Sequence, residues 1–101
     1  MLDRDVTIVV DPGGARATVV GEIDASNAED VSLALLSAAR KVRSPLKVDL
    51  AGVTFMDSTG LRALNDAAQA LASSGSGLLL CNVPRQIRRL MTLTGTQKVS
   101  Q

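Results

Sequence analysis

Apolar and polar residues follow strand-like and helix-like periods in turn along this chain. Val6 to Val10 is a β-branched apolar run interrupted only by Thr7, and Ala17 to Val20 is a second apolar run. The segment Asp11-Pro12-Gly13-Gly14 between them consists of residues that favour turns. The two runs therefore predict an N-terminal β-hairpin.

A helix is predicted next, beginning at Ser26. Ser26 stands three residues before Glu29, the spacing of a capping box, in which each of the two side chains binds a free backbone N–H at the helix start. The pattern predicts an end near Ser44-Pro45. Apolar residues at steps of three and four define one buried helix face: Ala28, Val31, Leu35, Ala38 and Val42.

The middle of the chain predicts a strand, a turn and a second helix. Leu46 to Leu50 is the predicted strand, Ala51 to Thr54 the turn, and Phe55 to Gly60 the segment that leads into the helix. Gly75-Ser76-Gly77 is expected to end that helix as a plain turn. Its buried stripe is predicted to contain Leu61, Leu64, Ala68, Leu71 and Ala72.

The last elements complete an alternation of strands and helices. Leu78 to Cys81 is a continuous apolar strand with Cys81 as a small core residue, and Pro84 suits the first turn of a third helix that ends at Gly95. This helix would turn Ile87, Leu90 and Met91 inward. The order predicts an α/β fold: one domain over residues 1–101, with a mixed, mostly parallel open sheet of four to five strands and right-handed crossovers.

Composition excludes several classes of function. The chain of 101 residues has no His, which removes Ser/His/Asp triads, Cys/His pairs and His metal ligands, and we expect a protein that is not an enzyme. The core is expected to be aliphatic, with Phe55 as its only ring. A single cysteine cannot form an internal disulfide, which favours a reducing, cytoplasmic setting.

Charge and hydropathy limit the classes of partner that we expect for this chain. With a net charge of +1 and aromatic residues at 1%, the chain has neither a basic field nor stacking platforms, so direct nucleic-acid binding is not expected. The first residues lack the basic-then-apolar layout of a signal peptide and no apolar run approaches the length needed to span a bilayer, so we expect neither a leader nor membrane association. Arg85, Arg88 and Arg89 form a basic face on the third helix, interpreted as a solvated face with a docking surface as the alternative.

Two loops carry the acidic and hydroxyl side chains that could take part in binding or modification. In an open α/β sheet, ligands and partners collect beyond the carboxyl ends of the parallel strands. The loops Gly21 to Ser26 and Met56 to Gly60 both lie there. The fold therefore predicts that one edge of the domain carries Asp24, Ser26, Asp57, Ser58 and Thr59.

Each of these residues has a structural and a functional interpretation. Asp57 or Ser58 suits the N-cap of the second helix, and a hydroxyl at that helix start also suits a phosphoacceptor, because the two roles are compatible. Phosphorylation there would change the docking surface without unfolding the domain. Asp24 with Asp57 could alternatively form a carboxylate pair for a metal ion, although two carboxylates are few ligands for a hard cation, and we expect neither a metal nor a cofactor.

Several segments resemble a known family. Gly21-Glu22-Ile23-Asp24, Val48-Asp49-Leu50, Phe55-Met56-Asp57-Ser58-Thr59-Gly60-Leu61, Arg89-Leu90 and Thr94-Gly95 are similar to the STAS domain of bacterial anti-sigma factor antagonists, over about residues 6 to 95. The resemblance implies partner switching, as in stress response or sporulation. The unphosphorylated antagonist binds an anti-sigma factor that is also a serine kinase, and phosphorylation releases it.

The resemblance also implies roles for particular residues. Ser58 would be the phosphoacceptor, with Thr59 as second choice, and Asp24 would support kinase docking and phosphotransfer. Five further residues would contribute to the kinase contact or support it: Asn27, Asp57, Gly60, Leu61 and Leu90. The implied partners are the anti-sigma factor kinase, which uses ATP itself, and a phosphatase that acts on the phosphoserine; the chain would be a monomer, with a dimer as the alternative.

Two other functions stay open at this stage. A STAS subunit bound to the ATPase of a membrane ABC transporter would be a structural accessory without phosphate turnover. A small-molecule or nucleotide sensor would use the helix start to bind free phosphate. The chain departs from the family pattern after the third helix, where Thr96 to Gln101 is polar, so the closing strand and helix are expected to be short or missing.

Overall fold

Four strands and three helices follow one another in the predicted order. The structure is a computed structural model that describes residues 6–42, 45–73 and 76–94. Its elements are β1 Val6–Val10, β2 Arg16–Ile23, α1 Ala28–Ala39, β3 Leu46–Met56, α2 Ser58–Ser73, β4 Leu78–Cys81 and α3 Arg85–Thr94.

The sheet has the mixed, mostly parallel topology that the alternation predicts. Within the described ranges its strand order is β1-β2-β3-β4. β1 pairs with β2 antiparallel as a hairpin, whereas β2 with β3 and β3 with β4 are parallel. The prediction of an α/β fold is confirmed. The predicted helix end at Gly95 and the segment Thr96 to Gln101 lie outside the described residues.

One aliphatic core joins the sheet to the helices. The buried residues of β2 and β3 lie on the face of the sheet that the apolar stripes of α1 and α2 cover. The two helices also pack against each other. This arrangement follows from two right-handed crossovers made in the same direction along the sheet. The largest fully buried side chains include Ile23, Leu35, Leu50, Leu61, Leu71, Ile87 and Met91.

Phe55 lies outside this core, so its predicted role as the core's only ring is wrong. Its neighbour Met56 is buried toward the helices, whereas Phe55 follows a register shift between Gly21 and Glu22 of the paired strand and has 48% of its surface exposed. Val9 and Val20 on β1 and β2 are exposed as well. The sheet therefore has one face covered by helices and one face with exposed apolar side chains.

The predicted turn at Ala51 to Thr54 is also wrong, because β3 continues through it. Gly52 lies beneath Val20, and a Cβ on Gly52 would be 2.9 Å from Cγ2 of Val20. The register of β2 against β3 shifts between Thr18 and Val20. Gly52 thus marks a close approach at an irregular register, a common role for glycine within a strand.

Helix boundaries differ from the predictions by a few residues. α1 begins at Ala28 instead of Ser26 and ends at Ala39, so Val42 lies beyond the helix. The buried stripe of α2 contains Ala67 in place of the predicted Ala68 and Ala72. Ala68 is half-buried, and Ala72 is exposed.

Candidate functional site

The ends of β2 and β3 lie side by side and bring the two predicted loops together. Ile23 pairs with Met56 at the last register position, and the N–H of Asp57 donates to the carbonyl oxygen of Ile23 over 3.3 Å. Asp24 therefore follows β2 directly beside the start of α2. The expected edge of acids and hydroxyls exists in the structure.

Asp57 caps the N-terminus of α2. Its Oδ1 accepts the N–H of Gly60 over 2.9 Å, and its carbonyl oxygen accepts the N–H of Leu61 over 3.0 Å. Ser58 and Thr59 are consequently the first two helical residues, and both are exposed. In the part of the chain that the structure describes, their N–H groups have no acceptor, so they present free donors next to the hydroxyls.

Gly60 holds the first turn of α2 against the sheet. A Cβ at Gly60 would be 2.8 Å from Cγ2 and 3.0 Å from the carbonyl oxygen of Ile23, and 3.1 Å from Cγ of Met56. The next residue, Leu61, is 2% exposed. Gly60 and Leu61 thus lie in the core, where they fix the position of Ser58.

Asn27 organises the turn that carries Asp24. It is the buried polar side chain of the described core, at 1% exposure. Its Oδ1 accepts the N–H of Asp24 over 3.0 Å, and its Nδ2 donates to the carbonyl oxygen of Glu22 over 2.9 Å. Asn27 therefore fixes the backbone of the turn from below.

Ser26 does not form the predicted capping box. Its hydroxyl donates to Oδ1 of Asp24 over 2.6 Å, and its N–H donates to the same oxygen over 2.9 Å. Asn27 occupies the N-cap position of α1. The Ser26 hydroxyl is oriented toward the Asp24 carboxylate, and a hydrogen bond to such a charged acceptor is stronger than one between neutral groups.

These two hydrogen bonds also set the charge of Asp24. The Ser26 hydroxyl, followed by the Ser26 N–H, lowers the pKa of the Asp24 carboxyl below its ordinary value, against a smaller opposing effect of burial. Asp24 is consequently an anion at neutral pH. A fixed negative charge stands next to the exposed hydroxyls at the start of α2.

Two grooves open at these hydroxyls. The larger, about 600 Å³, runs along α2 and is lined by Ser58, Thr59, Leu61, Arg62, Asn65, Asp66 and Gln69. The smaller, about 310 Å³, lies between α1 and α2, with Ala28 and Ser32 on one side and Thr59 and Ala63 on the other. Arg62 lines both grooves. The patch around Ser58 is therefore open to a partner from two sides.

Leu90 is separate from this patch. It lies on α3, partly buried against the core, and lines neither groove. Arg85, Arg88 and Arg89 on the same helix are exposed. Cys81 is buried, in agreement with its predicted core position.

The sequence patterns do not single out Arg62, the basic residue that lines both grooves. The signal that could find it is spacing, because Arg62 stands four residues after Ser58, which places both on one helix face. Within the described ranges, no three His, Cys, Asp or Glu side chains lie close enough to hold a metal ion. In the same ranges, every helix is too short or too polar to span a bilayer.

Comparisons with known proteins point to one family. The family model described as STAS domain matches residues 6–100. The anti-sigma-B factor antagonist of Listeria monocytogenes serovar 1/2a is 37% identical over 81 residues, which cover 80% of this chain and 71% of that protein.

Solved structures share the fold. An anti-sigma factor antagonist from Mycobacterium paratuberculosis matches with a TM-score of 0.72 and 26% identity, over 94% of this chain and 83% of that chain. The murine Solute Carrier 26 family member A9 anion transporter matches with a TM-score of 0.69 and 16% identity, over 91% of this chain and 18% of that chain, a likeness of fold alone. The resemblance in the motifs is confirmed, and the chain belongs to the STAS domain family.

Proposed function

We propose that this protein is an anti-sigma factor antagonist that is switched by phosphorylation of Ser58. In the unphosphorylated state it binds an anti-sigma factor that is also a serine kinase, and so frees a sigma factor. Phosphorylation ends that binding, and a phosphatase restores it. The protein itself is a cytoplasmic binding module and not an enzyme, because ATP and the catalytic groups belong to the kinase.

The observation that carries this proposal is the position of Ser58. Its hydroxyl is exposed at the first position of α2, beside N–H groups that have no acceptor among the described residues, and it opens onto the groove of about 600 Å³ along α2. Buried Gly60 and Leu61 anchor that turn to the sheet. A kinase would therefore meet a hydroxyl presented by a rigid element. The proteins of this family named anti-sigma factor antagonists supply the partner class.

The modification is a phosphoryl transfer. A bond forms between Oγ of Ser58 and the γ-phosphorus of ATP, while the bond from that phosphorus to the bridging oxygen of the β-phosphate breaks. The hydroxyl proton leaves to a base of the kinase, and the products are phosphoserine and ADP. The positioning comes from this chain, and the charge stabilisation from the kinase and its metal ion.

Electrostatics favours a change of surface over a change of fold. A phosphate brings about −1.5 to −2 charges to the start of α2. Each unit of that charge is repelled by roughly 0.7 to 3 kcal/mol by a carboxylate about 6 Å away, and Asp24 and Asp57 supply two carboxylates. Attraction of each unit charge to the helix start, about 0.3 to 2 kcal/mol, is of the same order as one such repulsion. The domain should therefore stay folded while its docking surface becomes strongly anionic.

The direct test is phosphorylation with a cognate anti-sigma factor kinase and ATP, followed by mass spectrometry. We expect one phosphate on Ser58, its loss in S58A, and no change in the control S37A, which removes an exposed serine from α1. Transfer that continues in an S58A/T59A double variant would refute the site. Binding of the kinase without any phosphate transfer would refute the phosphorylation switch and leave the anti-sigma factor as the partner.

A further inference from the structure

Arg62 lies one helical turn beyond Ser58 on the same face of α2. Residues four apart on a helix are neighbours, with Cβ atoms about 5–6 Å apart. Ser58 and Arg62 line the same groove of about 600 Å³. Because helix side chains tilt toward the N-terminus, the Arg62 side chain leads back toward Ser58.

The guanidinium of Arg62 has no partner in the part of the chain that the structure describes. It makes neither an ion pair nor a hydrogen bond there, whereas Arg16 pairs with Asp49 over 3.0 Å. Asp66 stands four residues after Arg62, but an acid on the C-terminal side of a base is the less favourable order in a helix. Arg62 is therefore an exposed cation available to a new anion.

The surroundings make this cation distinctive. The charged side chains lining the two grooves are Glu29 from α1 and Arg62 and Asp66 from α2. Asp24 follows β2 beside the start of α2, and Asp57 caps α2, so two carboxylates lie next to the turn that carries Ser58. Arg62 is the one lysine or arginine among the described residues that line these grooves. A guanidinium also matches the geometry of phosphate oxygens.

We infer that Arg62 binds the phosphate of phosphorylated Ser58 and holds it against α2. The inference rests on the proposed function, because that function supplies the phosphate on Ser58. Arg62 is a positioning residue in this account: it neutralises part of the repulsion from Asp24 and Asp57. The phosphorylated protein then presents the phosphate in one fixed place to the phosphatase and to the departing kinase.

Phosphoserine encoded at position 58 during translation tests this inference without a kinase. Titration followed by ³¹P NMR gives the second pKa of the phosphate. A unit charge about 6 Å away in water shifts a pKa by roughly half a unit. We therefore expect R62Q to raise the phosphate pKa by about half a unit, and R62K to restore part of the difference.

The matched control is R40Q, which removes an exposed arginine at the C-terminal end of α1, away from Ser58. It should leave the phosphate pKa unchanged. A proton–nitrogen spectrum of each variant checks that the fold is intact. Equal phosphate pKa values in the Arg62 and R62Q proteins would overturn the inference, and so would an equal shift in R40Q. Failure of a kinase to modify Ser58 would refute the proposed function and leave this result standing.

Discussion

A missing side chain at Gly60 decides where Ser58 sits. Its Cα approaches Ile23 and Met56 so closely that any Cβ would meet the backbone as well as side chains. The segment Asp57 to Leu61 therefore has two roles: it exposes the hydroxyl of Ser58, and two residues later it anchors the helix to the sheet through Gly60. The sequence motif indicates the first role, whereas only the packing shows the second.

We predict that G60A destabilises the domain by about 1–3 kcal/mol. A Cβ 2.8 Å from Cγ2 and 3.0 Å from the carbonyl oxygen of Ile23 must push α2 outward, which outweighs the better helix propensity of alanine. Urea unfolding measures the change. The control is G13A, because nothing lies within 4 Å of a Cβ there. Equal stability of G60A and G13A would contradict this role of Gly60.

We predict that N27A lowers the free energy of unfolding by about 1–3 kcal/mol. The change leaves the Asp24 N–H and the Glu22 carbonyl oxygen, both held by Asn27, without their partner. S26A, at an exposed position where water can replace the lost hydroxyl, should cost less than N27A. Thermal unfolding of both variants gives the comparison. A larger loss in S26A than in N27A would restore the capping box that the sequence predicts.

The strands and helices show which parts of a fold the sequence can predict. All seven elements and their order follow from periodicity, and strong apolar runs such as Leu78 to Cys81 are assigned correctly. Boundaries fail where a tertiary contact decides. Gly52 has the appearance of a turn residue, but the side chain of Val20 from the next strand needs that space. No local pattern contains that information.

The candidate site divides in the same way. The shared edge of Asp24 and Ser58 is predictable, because the carboxyl ends of parallel strands meet there. The pairing of Ser26 with Asp24, and the position of Asn27 at the N-cap of α1, depend on where the turn after β2 places the Asp24 carboxylate. The sequence predicts a buried Phe55 because aromatic residues are usually buried. The irregular register of β3 instead turns this ring to the exposed face of the sheet.

The exposed face of the sheet implies that truncating Phe55 costs little stability. F55A should cost about 1 kcal/mol or less, because 48% of the ring is already exposed. L50A, on the same strand but fully buried, should cost about 2–5 kcal/mol. Chemical denaturation of the pair is the measurement. A loss in F55A as large as that in L50A would place the ring in the core after all.

For the molecule as a whole, charge is the quantity that a switch would change. The net charge is +1, and one phosphate adds about −1.5 to −2 at neutral pH. A single modification at Ser58 would thus reverse the sign of the domain. The absence of histidine means that no imidazole titration adds to this change near neutral pH.

Acid should destabilise the domain through its hydrogen-bonded carboxylates. The Ala51 N–H, together with Asn82 and Arg16, holds the pKa of Asp49 below its ordinary value of 3.8, and Ser26 lowers that of Asp24. A lowered folded pKa gives stability that is present above the unfolded value and lost as pH falls. We therefore expect unfolding free energy to fall from about pH 5 downward.

D49N tests this pH dependence. It should be less stable than the parent at pH 7 by about 1 kcal/mol, and the two proteins should converge as the pH falls through the folded pKa of Asp49. Urea titrations between about pH 3 and pH 7 follow both. A constant difference across that range would contradict the proposed origin of the acid sensitivity.

The central claim is that phosphate on Ser58 ends the binding of an anti-sigma factor kinase. The measurement is the calorimetric affinity of that kinase for the unmodified protein and for the protein with encoded phosphoserine at position 58. We expect a loss of about 2 to 5 kcal/mol, or roughly thirty- to several-thousand-fold in affinity, because a dianion enters a docked, partly desolvated patch. Equal affinities for the two forms would contradict it.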